Sequence, residues 1–326
     1  MNIKLADFSH KQELISLWQE AFGDDENFIS SFLNAYMIPE YNAPIITADG
    51  KIASALYLID FPLYSNTNNL GDCAYLFAAA TKKEYRNKGY MSDLIAYSAE
   101  LCKNRGLKAI FLFPQNQDQK LFGYYSKFGF KTIYAAKKIT NDSVRDGAIA
   151  ERSSARVPHT SQYKLTNKDI TDAAIFDSLY DSYAELTAKQ ELAPLKDRFF
   201  YFRCASAYLE APDARFAVFE KIHGKNVENT HNVDKFCYVF YKKYKNTYYI
   251  DDIISSEYAD VLADFILNSE ENVKLEMNLP PATATPLIFS DSQTSPLAML
   301  LPLSDGISYI TDNLKSPVYI NMFMNI

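Results

Sequence analysis

The chain has 326 residues, of which 48% are hydrophobic and 22% charged, and its net charge is −7. That length favours two domains, each large enough to bury a core, and the acidic balance disfavours nucleic acid, whose phosphates need a basic surface. No apolar run approaches the roughly 20 residues of a membrane span, and Met1 to His10 lacks the basic start and apolar centre of a signal peptide, so a cytoplasmic location is the expectation.

Residues 5 to 37 predict two helices. The first has Ser9 as its cap and Leu14, Ile15, Leu17, Trp18, Ala21 and Phe22 on one face, with its end near Gly23. The second runs from Asp24 through Phe32 and Tyr36. The aromatic residues of this stretch, Trp18 included, are expected in the core, because a helical apolar stripe is ordinarily packing. Pro44 to Ile59 predicts a hairpin with Asp49-Gly50 at its tip, and Phe61 to Gly71 a polar loop. Tyr75 to Thr81 is then an apolar run short enough to be a buried strand. It breaks into the basic loop Lys82 to Met91 and a helix with Met91, Leu94, Ile95, Ser98, Ala99 and Cys102 on one face, ending at Gly106. Lys108 to Phe113 predicts another strand.

Asn141 to Gln162 is polar and almost free of large apolar residues, which marks a linker. Beyond it, Ile170–Leu186 and Lys196–Tyr208 predict helices, and 215–222, 235–244 and 248–254 predict strands. A helix over Tyr258–Leu267, a strand over Val273–Met277 and a last strand over Tyr319–Met324 follow. Cys73, Cys102, Cys204 and Cys237 lie far apart with no Cys-x-x-Cys pair, so buried reduced thiols are expected and no metal site. His10, His159, His223 and His231 read as surface residues. Asp251 and Asp252 are adjacent on a strand and point to opposite faces, so they do not converge on one ion.

A strand that enters a loop of exposed N–H groups and then a helix is a device for holding an anion. The helix N-terminus carries about half a positive charge and several unpaired donors. Arg86 and Lys88 add full charges, and Gly89 lets a ligand oxygen approach the backbone. These residues resemble a known family. Arg86-Asn-Lys-Gly89-Tyr-Met91 is similar to the pyrophosphate loop of the GNAT N-acetyltransferases, and Tyr125-x-x-x-Gly129-Phe130 after the 108–113 strand resembles that family's later motif. Met91 departs from the pattern, since the family has a small residue there.

The resemblance implies a mixed α/β sheet, with an N-terminal GNAT fold over residues 1–140, a linker over 141–162 and a degenerate GNAT-like second domain over 163–326. That second half has no basic glycine loop, so no second cofactor site is expected. The resemblance also implies acetyl-CoA as cosubstrate, held by Ala79, Ala80, Thr81, Arg86, Asn87, Lys88, Gly89, Tyr90, Met91 and Ser92. Tyr125 takes the place of the general acid, with Tyr124 as its competitor, and Asp72 stands just before a central strand that carries no base of its own. The two-domain length and the ending Ser316 to Ile326 resemble the enhanced-intracellular-survival type, which implies a role for the Ile326 carboxylate at the site. The implied acceptor is a primary amine of a small cationic molecule or peptide, which the acidic charge attracts. No membrane or nucleic acid partner is implied, and a homo-oligomer is left open. From another class, a non-catalytic acyl-CoA-binding or sensing module with a partner-binding second domain fits the same loop.

Overall fold

The computed structural model describes residues 2–115, 118–140, 163–221, 236–254, 259–267, 273–279 and 292–318. The linker expected at 141–162, the last strand expected at Tyr319–Met324, Ile326 and three of the four histidines lie outside the described residues. Contacts divide the chain into two units. The first comprises Met1–Leu63, Asn69–Thr132 and Ala298–Asn313; the second draws on Tyr64–Asn68, Ile133–Leu297 and Leu314–Ile326.

The first unit begins with β1 (Asn2–Leu5), α1 (Lys11–Phe22) and α2 (Glu26–Tyr36). The cap before α1 is Asp7 and not the expected Ser9: the Asp7 carboxylate accepts the Ser9 N–H at 2.8 Å and closes a 3-10 turn over Phe8–His10. Asp7 is in extended backbone, the conformation a capping side chain needs. His10 is half-buried in that turn, with Nδ1 2.8 Å from Asp7 Oδ1, so it is a capping residue and not a free surface histidine. Leu14, Ile15, Leu17 and Trp18 are buried along α1, which ends at Gly23 in the left-handed region.

Strands β2 (Pro44–Ala48) and β3 (Lys51–Ser65) meet at Asp49-Gly50, both with positive φ as a tight hairpin turn requires. The stretch expected as a polar loop, Phe61 to Gly71, is instead the far end of β3 and the start of β4 (Asn68–Thr81). The chain reverses at Asn66-Thr67 alone, with φ of 47° and 71°. Polar residues there face solvent from extended strands, and polarity alone does not separate that state from a loop. Helix α3 (Tyr90–Asn104) leads to β5 (Ala109–Leu112), α4 (Gln119–Ser126) and β6 (Lys131–Thr140).

After β6 come β7 (Tyr163–Asn167), α5 (Ala173–Ala188), β8 (Ala193–Pro194), α6 (Arg198–Leu209), β9 (Ala214–Lys221), β10 (Phe236–Tyr244) and β11 (Thr247–Ile254). Helix α7 (Ala259–Leu267), β12 (Lys274–Leu279), β13 (Gln293–Pro302) and α8 (Asp305–Asp312) complete the described chain. Aspartates open α2, α5 and α6: Asp25, Asp172 and Asp197 each accept an N–H of the first turn.

The two halves repeat one arrangement. In the first unit the strand order runs β1-β2-β3-β4-β5, with β1 and β3 antiparallel to β2 and β5 parallel to β4 across the α3 crossover. In the second it runs β7-β9-β10-β11-β12, antiparallel until β12, which is parallel to β11 across α7. The completing strand of each sheet comes from the other half of the sequence. Ala298–Pro302 of β13 lie in the first unit, and there Met299 to Pro302 pair antiparallel with β5. Strand β6, which follows β5 in the chain, pairs antiparallel with β12 through Lys137 to Thr140.

Alternation along β4 divides the core of the first unit. Ala74 and Leu76 join Leu94, Ile95 and Cys102 of α3 in one cluster, whereas Tyr75 and Phe77 meet the aromatic group around Trp18. Trp18 lies 5.0 Å from Phe32 and 5.3 Å from Tyr57 between ring centroids and donates Nε1–H to Asp24 at 2.7 Å. At 3% exposure it is core, as its helical spacing implies.

Candidate active site

The end of β4 departs from a regular strand. Ala78 has φ of +46°, and Ala78 and Ala79 are both half-buried where alternation would bury one of them. A positive φ at an alanine inside a strand is the mark of a bulge, which re-aims the following backbone groups. Ala80 is buried and Thr81 half-buried. Behind them sits a residue with no signal in the sequence: Ser54 of β3, fully buried, donates its hydroxyl to the Ala80 carbonyl at 2.9 Å and lies 2.8 Å from Thr81 Oγ1. Only the pairing of β3 with β4 brings that hydroxyl to the bulge.

Strand β4 pairs in parallel with β5 at Ala74 and Tyr75. Strand β5 ends at Leu112, opposite Leu76, while β4 runs on to Thr81, so among the described residues β4 outruns β5 from Phe77 to Thr81. An unpaired edge of N–H and C=O groups is a template for an amide-bearing chain.

After Thr81 a 3-10 turn over Lys83–Tyr85 leads to Arg86, whose Nε donates to the Thr81 carbonyl at 3.1 Å. Glu20 of α1 accepts the Lys83 N–H at 2.9 Å and fixes the start of the loop. Asn87 and Gly89 have φ of 61° and 83°. A Cβ on Gly89 would meet nothing within 4 Å, so its backbone conformation, and not space, calls for glycine here. Arg86, Asn87, Lys88 and Gly89 are exposed; Tyr90, Met91 and Ser92 are half-buried. Lys88 Nζ lies 4.9 Å above the Tyr85 ring, which stacks on Tyr90.

The first hydrogen bond of α3 runs from Asp93 N–H to the Gly89 carbonyl at 3.0 Å. The N–H groups of Tyr90, Met91 and Ser92 are therefore the donors that the helix leaves without a partner of its own. They point the way the dipole does, toward a negative ligand. The sequence-predicted residues Ala79 to Thr81 and Arg86 to Ser92 thus follow one another from the end of β4 to the start of α3, with Ala80 buried and Arg86 to Gly89 exposed.

Tyr125 of α4 belongs to the cluster between α3 and the sheet. Its ring meets Phe130 at 5.7 Å and Tyr124 at 5.3 Å between centroids. Burial pushes its phenol up to about 12, and Tyr124 adds to the rise, so it stays protonated at neutral pH. Tyr124 faces another way: its hydroxyl lies 3.2 Å from Ser92 Oγ. The turn after α4 holds Gly129, with φ of 88° and space for a Cβ only 3.3 Å from Leu301 Cδ1 of β13. Asp72 precedes Thr81 by nine residues of β4, roughly 30 Å of extended chain, so it is no base for groups at Thr81.

In the second unit Asp252 is fully buried and Asp251 is the extra residue of a bulge, where Phe240 pairs with Asp252 and Tyr241 with Ile250. Asp251 accepts the Tyr208 hydroxyl at 2.9 Å. Among the described residues no cluster of His, Cys, Asp and Glu has the makings of a metal site, and all four cysteines are buried.

Residues 2–133 match the family model of the acetyltransferase (GNAT) domain, a stretch that contains the bulge, the loop, α3 and α4. The fold as a whole is similar to a GCN5-related N-acetyltransferase from Anabaena variabilis (TM-score 0.65, 15% identity, 93% of this chain and 73% of that one). It is similar also to a probable N-acyltransferase from Enterococcus faecalis (0.67, 15%, 92% and 72%) and to Eis1 from Mycobacterium abscessus (0.62, 12%, 93% and 74%). At such identities the likeness is one of fold. A search of the curated proteins finds no match. The fold class is mixed α/β as expected.

Proposed function

We propose that the chain is an N-acetyltransferase that moves the acetyl group of acetyl-CoA to a primary amine of a small cationic molecule or peptide. The observation that carries this reading is the succession of the β4 bulge, the basic loop and the open N-terminus of α3 within the stretch that matches the GNAT domain. Under it, the N–H groups of Tyr90 to Ser92 with Arg86 and Lys88 hold the diphosphate, and the part of β4 that outruns β5 pairs with the two amides of the pantetheine arm. The re-aimed backbone at Ala78–Thr81 faces the thioester carbonyl and stabilises the oxyanion that forms when the amine nitrogen attacks it. Collapse of that intermediate breaks the C–S bond, and the proton of Tyr125 goes to the departing thiolate.

No carboxylate of β4 lies at the bulge, so the amine reaches the site neutral or loses its proton to a group outside β4. The reading itself is tested by thiol release from acetyl-CoA across a panel of amines, beside calorimetric titration with CoA. Thiol release with one class of amine supports it. CoA binding with no release from any amine assigns the chain to the non-catalytic binding class, and absence of CoA binding overturns both.

A further inference from the structure

Ser92 is the third residue of α3, within the turn whose N–H groups have no intrahelical partner. Its hydroxyl is 3.2 Å from the hydroxyl of Tyr124, and both side chains are partly buried. The phenol is held there by its own packing: the Tyr124 ring meets Tyr125 at 5.3 Å and Phe128 at 5.3 Å, both edge-on. Consecutive residues of a helix point about 100° apart. With Tyr124 on Ser92, Tyr125 is turned further into the cluster between α3 and the sheet, against which Tyr124 also packs.

Each hydroxyl has one proton to give and lone pairs to receive another. In the free protein either can be the donor of the pair. An anionic oxygen at the start of α3 removes that freedom. A hydrogen bond to an ionised acceptor is about twice as strong as one to a neutral acceptor, so the serine proton turns to the anion and the phenol must donate to Ser92. The resulting chain, Tyr124 O–H to Ser92 O–H to phosphate oxygen, polarises in one direction, and each member strengthens the next.

We propose that Tyr124 is a positioning residue for the diphosphate of acyl-CoA, acting through the Ser92 hydroxyl rather than on the ligand itself. The inference rests on the function proposed above, since it takes the start of α3 as the diphosphate site. It explains why a tyrosine beside the acid is oriented at the helix start and not at the thioester.

Calorimetry with CoA as the probe tests it on wild type, Tyr124→Phe, Ser92→Ala, Ser92→Thr and the Tyr124→Phe/Ser92→Ala pair, each checked for unchanged circular dichroism and melting. Tyr124→Phe and Ser92→Ala are each expected to raise Kd by about 3- to 10-fold. Ser92→Thr, which keeps the hydroxyl, stays near wild type, and the double variant binds no worse than Ser92→Ala, because the phenol acts only through the serine. A Tyr124→Phe protein with wild-type Kd overturns the inference, and so does a double variant whose losses multiply. Wild type that binds no CoA overturns the site on which it rests, a failure distinct from either of these.

Discussion

Lys196 is the side chain of this protein that water would most readily claim, and it is fully buried. It stands before α6, with its ammonium 5.5 Å from the Tyr183 ring centroid and 5.6 Å from that of Tyr201. Asp252, also fully buried, and Cys204 are its electrostatic neighbours. Burial lowers its pKa from 10.5 to about 8, against the pull of Cys204 and Asp252 in the other direction. Between those two values the unfolded chain binds more protons than the folded one, so stability rises as pH rises through that window. Urea unfolding at pH 7.5 and 9.5 should show this rise in wild type and not in a Lys196→Met/Asp252→Leu pair. Lys196→Met removes a charge that neighbours Asp252, and the single variant is expected to be less stable than the double variant at pH 7.5. A single variant as stable as wild type would show that Asp252 does not depend on Lys196. At the active site, Tyr125→Phe should lower turnover by ~10²-fold or more with little change in CoA affinity, as loss of a general acid does. Because its phenol titrates only near 12, wild-type turnover should show no loss from Tyr125 ionisation below about pH 11. If Tyr124→Phe shows the loss of turnover and Tyr125→Phe does not, the acid is Tyr124.

Among elements, the hairpin of β3 and β4 has the least economical turn. Thr67 is β-branched and yet has φ of 71°, a conformation in which Cβ crowds the following carbonyl oxygen. What holds it is backbone: Asn66 N–H donates to the Gln190 carbonyl at 2.8 Å and Thr67 N–H to the Ala188 carbonyl at 2.6 Å. Glycine keeps both bonds and removes the crowding, so Thr67→Gly is expected to stabilise by about 1 kcal/mol, read as an upward shift of the urea midpoint. A lowered midpoint would mean that the Thr67 hydroxyl, bonded to the Asn66 carbonyl at 2.6 Å, contributes more than the strain costs. The same turn shows why Phe61 to Gly71 reads as a loop. Five consecutive polar residues, Ser65 to Asn69, hide a reversal that occupies only two of them.

At the scale of the whole molecule, the exchange of β6 and β13 ties the halves of the sequence into each other's sheets. A fragment of residues 1–140 keeps the GNAT motifs but lacks Met299 to Pro302, and so leaves the hydrogen-bonding edge of β5 bare. It is expected to be insoluble or unfolded by circular dichroism, and co-expression with residues 163–326 should restore a soluble complex. A monomeric, cooperatively melting 1–140 fragment would show that β13 is dispensable to the first sheet. The loop, the helix, the parallel strand and the Tyr125 motif were legible from residue order, because each is a local device: a glycine that must be left-handed, a helix face with a period of 3.6, an apolar run. The two-helix, three-strand, helix, strand order of the second half was legible for the same reason. Ser54 behind Thr81, the Tyr124 phenol on Ser92 and the burial of Lys196 beside Asp252 were not, since each joins residues far apart in sequence and no local pattern records the pairing. Strand exchange is the extreme case. An edge of hydrogen-bond donors and acceptors accepts any strand of suitable register, so which strand fills it is decided only when the sheets are assembled.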